Sequence, residues 1–461
     1  MCKTLSALFF VTVTICSALY AQKVQTGQDL LLDLGCHTCH SGLETPDEAI
    51  IRERAPDLSN AGLIYEPGYL LDYLQNPKPV RSDIGASRMP DFGFSDAEAL
   101  AVVLFLRQQT ARDPNLPATA PVTLAEADRK RLARQFDRAK KSHPAVTAEL
   151  GKAIFRAQNC MACHRIRGMA PWPRPMAPDL ARVMERLQEP WLRAYLKKPH
   201  AVRPLGFFPG SGSRMPNFHL TDEEIERLLA YFKSVSRATA SKAAEPAPLS
   251  SFAMKKARAL LRDKLSCLGC HRLGERGGRI GPDLSSLAAR IMPGYLQQIV
   301  RDPQRAMPGT IMPKIRMVPV HEKTADLIIR FLWQQREPRQ AQPYFSLVDF
   351  PPVLPEGGSR AERLYKTYCA ICHGVSGNGD GYNARFLHKT PVVFASTGYM
   401  ATRPDDTLFD GIFSGGYILN KSPMMPPWGG TLSVDDMRLL VQYLRQLCQC
   451  QGPAWSRDGQ R

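Results

Sequence analysis

Cys36-His37-Thr38-Cys39-His40 is one of four occurrences of Cys-x-x-Cys-His in this chain. The others are Cys160-Met161-Ala162-Cys163-His164, Cys267-Leu268-Gly269-Cys270-His271 and Cys369-Ala370-Ile371-Cys372-His373. Two thiols three positions apart can both reach the vinyl groups on one edge of a porphyrin and bond to them. The adjacent His is then held beneath the ring, where an imidazole nitrogen can ligate the iron, and this spacing is the attachment signature of c-type haem. One copy would be a weaker signal, because Cys-x-x-Cys also serves redox dithiols and half of a zinc site. Four copies, each followed by His, predict four covalently attached haem c groups. Their thioether positions are Cys36, Cys39, Cys160, Cys163, Cys267, Cys270, Cys369 and Cys372, and their proximal iron ligands are His40, His164, His271 and His373.

Working outward, each motif opens a repeat of roughly 90 residues. A short helical pattern precedes each motif: Gly27 to Leu32, Glu149 to Phe155, the stripe Met254, Ala257, Leu260, Leu261, and Ala361 to Tyr365. After the motif the first three repeats share a phrase: Ala55-Pro56-Asp57-Leu58, Ala177-Pro178-Asp179-Leu180 and Gly281-Pro282-Asp283-Leu284. Pro followed by Asp suits a turn and cap before a short helix. An aromatic-bearing helix follows (Tyr69 to Leu74, Trp191 to Leu196, Tyr295 to Val300), and each ends at a proline: Pro77, Pro199, Pro303. A loop then leads to Met89-Pro90, Met215-Pro216 and Met312-Pro313, with Arg88 and Arg214 before the first two. The fourth repeat differs: a glycine-rich cluster runs from Gly374 to Gly381, and the chain arrives at Met425-Pro426-Pro427-Trp428. Each repeat closes on a helical pattern. Ser95 with Glu98 and Thr221 with Glu224 are capping boxes, and Ser433 with Asp436 is an acidic variant.

These parts together resemble class I cytochromes c over about four-fifths of the chain, counted against a typical repeat of this size. The fourth repeat is similar to the cytochrome c domains of bacterial respiratory complexes, through Cys369 to Gly374, Gly377 to Gly381 and Met425 to Trp428. The resemblance implies an all-α fold of four tandem haem domains, with each haem held between helices, His on one side and Met on the other. The distal ligands are then Met89, Met215, Met312 and Met425, each about 40 to 50 residues after its haem His and just before the closing helix. Met307 and Met317 compete with Met312, and Met424 competes with Met425. Each iron is expected to be capped on both faces from its own repeat. The expected domains are 22–111, 145–236, 251–336 and 358–452. They are joined by linkers 112–144 (with a charged, solvated helix over 123–141), 237–250 and 337–357, which are proline-stiffened and keep the cores separate.

A low-spin His/Met iron offers no open position to a substrate, and a thioether raises its potential relative to a second imidazole. The expectation is therefore a non-catalytic electron carrier, a periplasmic tetrahaem cytochrome passing single electrons between a respiratory donor and a terminal acceptor. The alternative is a haem enzyme, peroxidase- or reductase-like, with one five-coordinate iron, for which the third repeat is the best candidate.

The 461 residues carry 60 basic and 43 acidic side chains, a net charge of +17. A basic surface suits an acidic redox partner, a membrane respiratory complex or anionic lipid. Nucleic acid is excluded as a partner because an exported haem protein would not meet one. Residues 1–21 read as a secretory signal, with Lys3, an apolar run from Leu5 to Ile15, and Ala18 and Ala21 as cleavage points; an uncleaved anchor is the alternative. Of the remaining cysteines, Cys2 and Cys16 lie in that segment, and Cys448 and Cys450 read as two ordinary thiols on a frayed helix end, with a disulfide or a metal contact as the alternative.

Overall fold

The computed structural model describes residues 22, 24–41, 55–78, 86, 88–111, 124–169, 176–236, 244–314, 321–337, 340, 342–353 and 358–456. The N-terminal segment 1–21, residues 112–122 and Met317 lie outside them. The fold is all-α. Among the described residues no strand forms, and extended chain pairs only in isolated bridges such as Asp91 with Asn217.

The helices begin where side chains can satisfy the first free N–H groups. Ser95 accepts from Glu98 N while the Glu98 carboxylate accepts from Ser95 N, and Thr221 and Glu224 repeat the arrangement, so both capping boxes form. Thr147, Ser250, Ser359 and Ser433 cap the helices Ala148–Ala157, Ser251–Asp263, Arg360–Tyr368 and Val434–Cys448. Each such cap contributes about 1 kcal/mol. The aromatic-bearing helices Pro67–Gln75, Glu189–Lys197 and Pro293–Arg301 carry proline in their first turn, where its missing N–H leaves no bond unmade.

The described residues fall into two compact units. One is drawn from Met1–His200, Gly212–Ala240 and Phe345–Pro352, the other from Ala201–Ser211, Ser241–Tyr344 and Val353–Arg461. The first unit thus holds the first repeat and all of the second but Ala201–Ser211, and its described residues form two cores. The first core joins the aromatic helix Pro67–Gln75 and closing helix Asp96–Arg107 of the first repeat to the opening helix Ala148–Ala157 of the second, with Cys160, Met161 and Ile166. The second joins the helix over 24–33, with Leu30, Leu31, Leu34 and Cys36, to Leu192, Leu196 and the closing helix Asp222–Val235 of the second repeat.

The opening segments have therefore changed places. Gly27 and Gly151 mark the two helix crossings. A Cβ at Gly27 would collide with the carbonyl of Arg227, and one at Gly151 with the carbonyl of Ala101. The expectation that each motif would sit in its own repeat's core fails in this unit. The physical reason is that the opening helices present the same glycine and apolar face, so either can pack on either closing helix.

Two linkers also belong to this unit's packing, contrary to expectation. The charged segment is a helix, Glu126–Ser142, but its Leu132, Phe136 and Ala139 are buried, one stripe at helical spacing. A Cβ at Gly68 of the aromatic helix would collide with the Leu132 carbonyl, so the two helices are in backbone contact. Leu347, from the proline-rich stretch, is buried in the first core, and its N–H donates to Glu98 Oε1 at 2.7 Å.

In the second unit each repeat folds on itself. In the third, Ser251–Asp263 packs against the closing helix His321–Trp333, with the Arg258 guanidinium over the Phe331 ring. In the fourth, Arg360–Tyr368 packs on Val434–Cys448, and its core holds Tyr365, Met400, Trp428, Met437 and Leu440. Gln449 at the end of that helix adopts a left-handed conformation with φ 49°, and Cys448 and Cys450 on either side of it form a disulfide. The reading of these two as ordinary thiols is thereby corrected.

Candidate haem-attachment sites

Each motif is built on a single helical turn. Gly35 (φ 69°) and Asn159 (φ 52°) are left-handed and break the opening helices just before the first thiol. Glycine and asparagine are the residues that accept this conformation most readily. The chain then winds once, so that the backbone N–H of each His donates to the carbonyl of the first Cys of its motif: His40 to Cys36 (3.0 Å), His164 to Cys160, His271 to Cys267 and His373 to Cys369 (all 2.9 Å).

The four imidazoles are oriented in the same way. Nδ1 lies 2.7 Å from the Pro178 carbonyl in His40, 3.0 Å from Pro56 in His164, 2.8 Å from Pro282 in His271 and 3.0 Å from Val392 in His373. A carbonyl can only accept, so Nδ1 carries the proton and Nε2 keeps its lone pair. A metal-ligating His is oriented in this manner. Burial lowers His40 and His373 to about 4 and also lowers His271, so these rings are neutral at physiological pH. Burial likewise raises every motif thiol. Cys36 and Cys369 reach about 12, and Cys163, Cys267 and Cys372 about 11. These are protonated thiols rather than thiolates. Among the described residues no three His, Cys, Asp or Glu side chains converge on a metal ion. Paired thiols beside a neutral, Nε2-available imidazole fit a covalently attached haem.

Within each unit the two motifs touch. Asn159 Nδ2, beside Cys160, donates to the Thr38 carbonyl (3.2 Å) and approaches Cys39 Sγ (3.7 Å). In the other unit Asn383 Nδ2 donates to the Gly269 carbonyl (2.7 Å) and approaches Cys372 Sγ (3.3 Å), while its Oδ1 accepts from Arg279 N. Neither asparagine stands out in the sequence pattern.

Comparison with known proteins finds cytochrome domains over three of the four motifs. The cytochrome c family model matches residues 24–110 and again 148–236, and the family described as cytochrome c oxidase, cbb3-type, subunit III matches residues 357–444. The chain belongs to the class I c-type cytochromes. The matched domains imply haem c with its iron as the cofactor. This cytochrome is also 29% identical over 92 residues to the C subunit of nitric oxide reductase from Stutzerimonas stutzeri, a match covering 19% of the chain and 57% of that relative. No solved structure gives a significant match. Residues 251–336 lie outside the two family matches, yet His271 is held as the other three are.

The four candidate methionines of this cytochrome occupy distinct settings. Met89 packs against the first core, which contains Cys160; Met215 packs against the second, together with Cys36. Met425 packs in the fourth repeat's core with Cys369. Met312 is held at both ends of its peptide, its N–H donating to Thr310 Oγ1 (3.1 Å) and its carbonyl accepting from Gln304 (2.7 Å). Its rival Met307 faces the Arg203 guanidinium, 3.5 Å from its sulfur.

The arginines before the first two methionines fix these loops. Arg214 forms a buried bidentate pair with Glu98, Nη2 to Oε1 at 2.5 Å and Nη1 to Oε2 at 3.1 Å, both side chains at most 3% exposed. Arg88 pairs with Glu224 at 2.9 Å and donates to the Phe218 carbonyl. Burial works to raise the Glu224 carboxyl, but Arg88 and the Thr221 N–H outweigh it and hold it below the usual range. Each capping-box glutamate thus serves the arginine of the other repeat. The signal was in the sequence, since Arg before Met and Glu in the capping box both recur.

Proposed function

We propose that this protein is an electron carrier with four haem c groups arranged as two dihaem units. The haems are attached through Cys36/Cys39, Cys160/Cys163, Cys267/Cys270 and Cys369/Cys372. The proximal ligands are His40, His164, His271 and His373, and the distal ligands Met89, Met215, Met312 and Met425. The observation that carries this reading is the hydrogen-bond contact between the two attachment motifs of each unit, through Asn159 and through Asn383. Groups bonded to segments in contact are neighbours, and neighbouring irons without an open position exchange single electrons rather than bind substrate.

Haem supplies the one-electron chemistry when bound. The chain's own part is to hold each imidazole by its Nδ1–H, to bury the iron's surroundings and to keep the ligand loops fixed. The net charge of +17 and the similarity to subunits of respiratory enzymes support an acidic redox partner in a respiratory complex outside the cytoplasm.

Intact-mass measurement of the mature protein tests the count: four haem masses above the polypeptide are expected, and fewer would refute it. Reductive titration with carbon monoxide present tests the role. Reduction in one-electron steps with no carbon monoxide adduct is expected of a carrier. An adduct at one haem in four would favour an enzyme.

A further inference from the structure

We infer that the two haems of the first unit exchange their distal ligands, so that Met215 closes the iron held by His40 and Met89 closes the iron held by His164. This rests on the reading of Met89 and Met215 as iron ligands and specifies which iron each one serves.

Four kinds of observation point the same way. His40 Nδ1 is bonded to Pro178 of the second repeat, and His164 Nδ1 to Pro56 of the first. The backbone beside each motif pairs with the other repeat: Met176 N with Cys39 O (3.0 Å), Leu180 N with Ser41 O (3.0 Å), and Leu58 N with Arg165 O (2.8 Å). The opening helices cross the closing helices of the other repeat at Gly27 and Gly151. Met215 shares its core with Cys36, and Met89 shares its core with Cys160.

The loop bearing each methionine runs directly into a closing helix. Met215 precedes Asp222–Val235, and it is this helix that lies on the helix delivering Cys36. Met89 precedes Asp96–Arg107, which lies on the helix delivering Cys160. The two loops meet where Asp91 and Asn217 exchange backbone hydrogen bonds of 2.9 and 2.7 Å, so each methionine is held beside the point at which the repeats swap. Neither repeat then contains a complete iron site, and a change at one methionine is read out at the haem attached by the other repeat.

The test needs a mark on one haem in the full-length holoprotein. Cys36→Ser leaves one vinyl of the first haem unreacted, which extends the conjugation of that ring and moves its reduced α band to longer wavelength. In this background, Met215→Ala is expected to make the shifted haem bind carbon monoxide, and Met89→Ala to open an unshifted haem. The opposite assignment would overturn the exchange and leave both methionines as ligands. If neither substitution opened any haem, the methionine ligands themselves would be refuted, and the exchange with them. Cys160→Ser, which marks the second haem, gives the mirror-image test should Cys36→Ser not fold. Met215→His keeps the iron six-coordinate and should lower the midpoint potential of the marked haem alone.

Discussion

His40 and His271 are each bonded through Nδ1 to the proline carbonyl of a Pro-Asp-Leu phrase, yet that proline lies 138 residues away in one case and 11 in the other. In the third repeat the return is local. Leu273 and Arg276 pair across a tight turn in which Gly274 has φ 62°, and Ile280 and Gly281 come back to bond the Cys270 carbonyl. In the first unit the closing helix Asp96–Arg107 is followed by Glu126–Ser142, which packs on the aromatic helix, and then by Ala148–Ala157, which packs on the closing helix itself. Elements adjacent in sequence fill the first core and bring the second motif with them. Short closures cost least conformational entropy. The first motif is left to the elements beyond residue 176. The phrase specifies the kind of contact, while chain topology chooses which copy makes it.

The sharpest way to break this contrast is at the buried ion pair. Arg214→Ala leaves Glu98 buried and uncompensated and should cost about 3–5 kcal/mol. Arg88→Ala, at its more exposed counterpart, should cost about 1–3 kcal/mol. Equilibrium denaturation of the full chain measures both, and equal effects would mean that the two loops are not differently buried. Leu347→Ala should cost about 2–5 kcal/mol. Hydrogen exchange should then rise in 96–107 and not in 434–448; a rise confined to 337–357 would return that stretch to the status of a linker.

Gly151→Ala forces a methyl group against the Ala101 carbonyl, and the strain should amount to roughly 1–3 kcal/mol. Its spectral effect should appear at the haem held by His164. The smallest effect is expected at Asn159→Gly. This keeps the left-handed turn, removes the hydrogen bond to Thr38 and should cost about 1 kcal/mol. It should also alter electron exchange within the first unit more than in the second, as measured by flash reduction.

Much of this was legible in the sequence. The motifs, the capping boxes at Ser95 and Thr221, and the proline-started aromatic helices all follow from local chemistry, and local chemistry is what a linear pattern records. The exchange was not legible, because Gly27 and Gly151 sit on equivalent apolar faces and nothing in either helix names its partner. The helix Glu126–Ser142 reads as solvated because charged residues dominate it, while only Leu132, Phe136 and Ala139 are buried. Leu347 is one apolar side chain in a proline-rich stretch, and the glutamate that accepts from its backbone N–H lies 249 residues earlier. The Cys448–Cys450 pair needed the left-handed Gln449 between them, a conformation that glutamine rarely signals.

The most direct measurement is a nuclear Overhauser spectrum of the fully reduced, diamagnetic holoprotein with labelled methionine methyls, the Met215 signal being assigned by its loss in Met215→Leu. Exchange predicts that the ring-shifted Met215 methyl contacts the porphyrin whose thioether protons lead to Cys36 and Cys39. A Met215 methyl lying on the porphyrin bonded to Cys160 and Cys163 would contradict it.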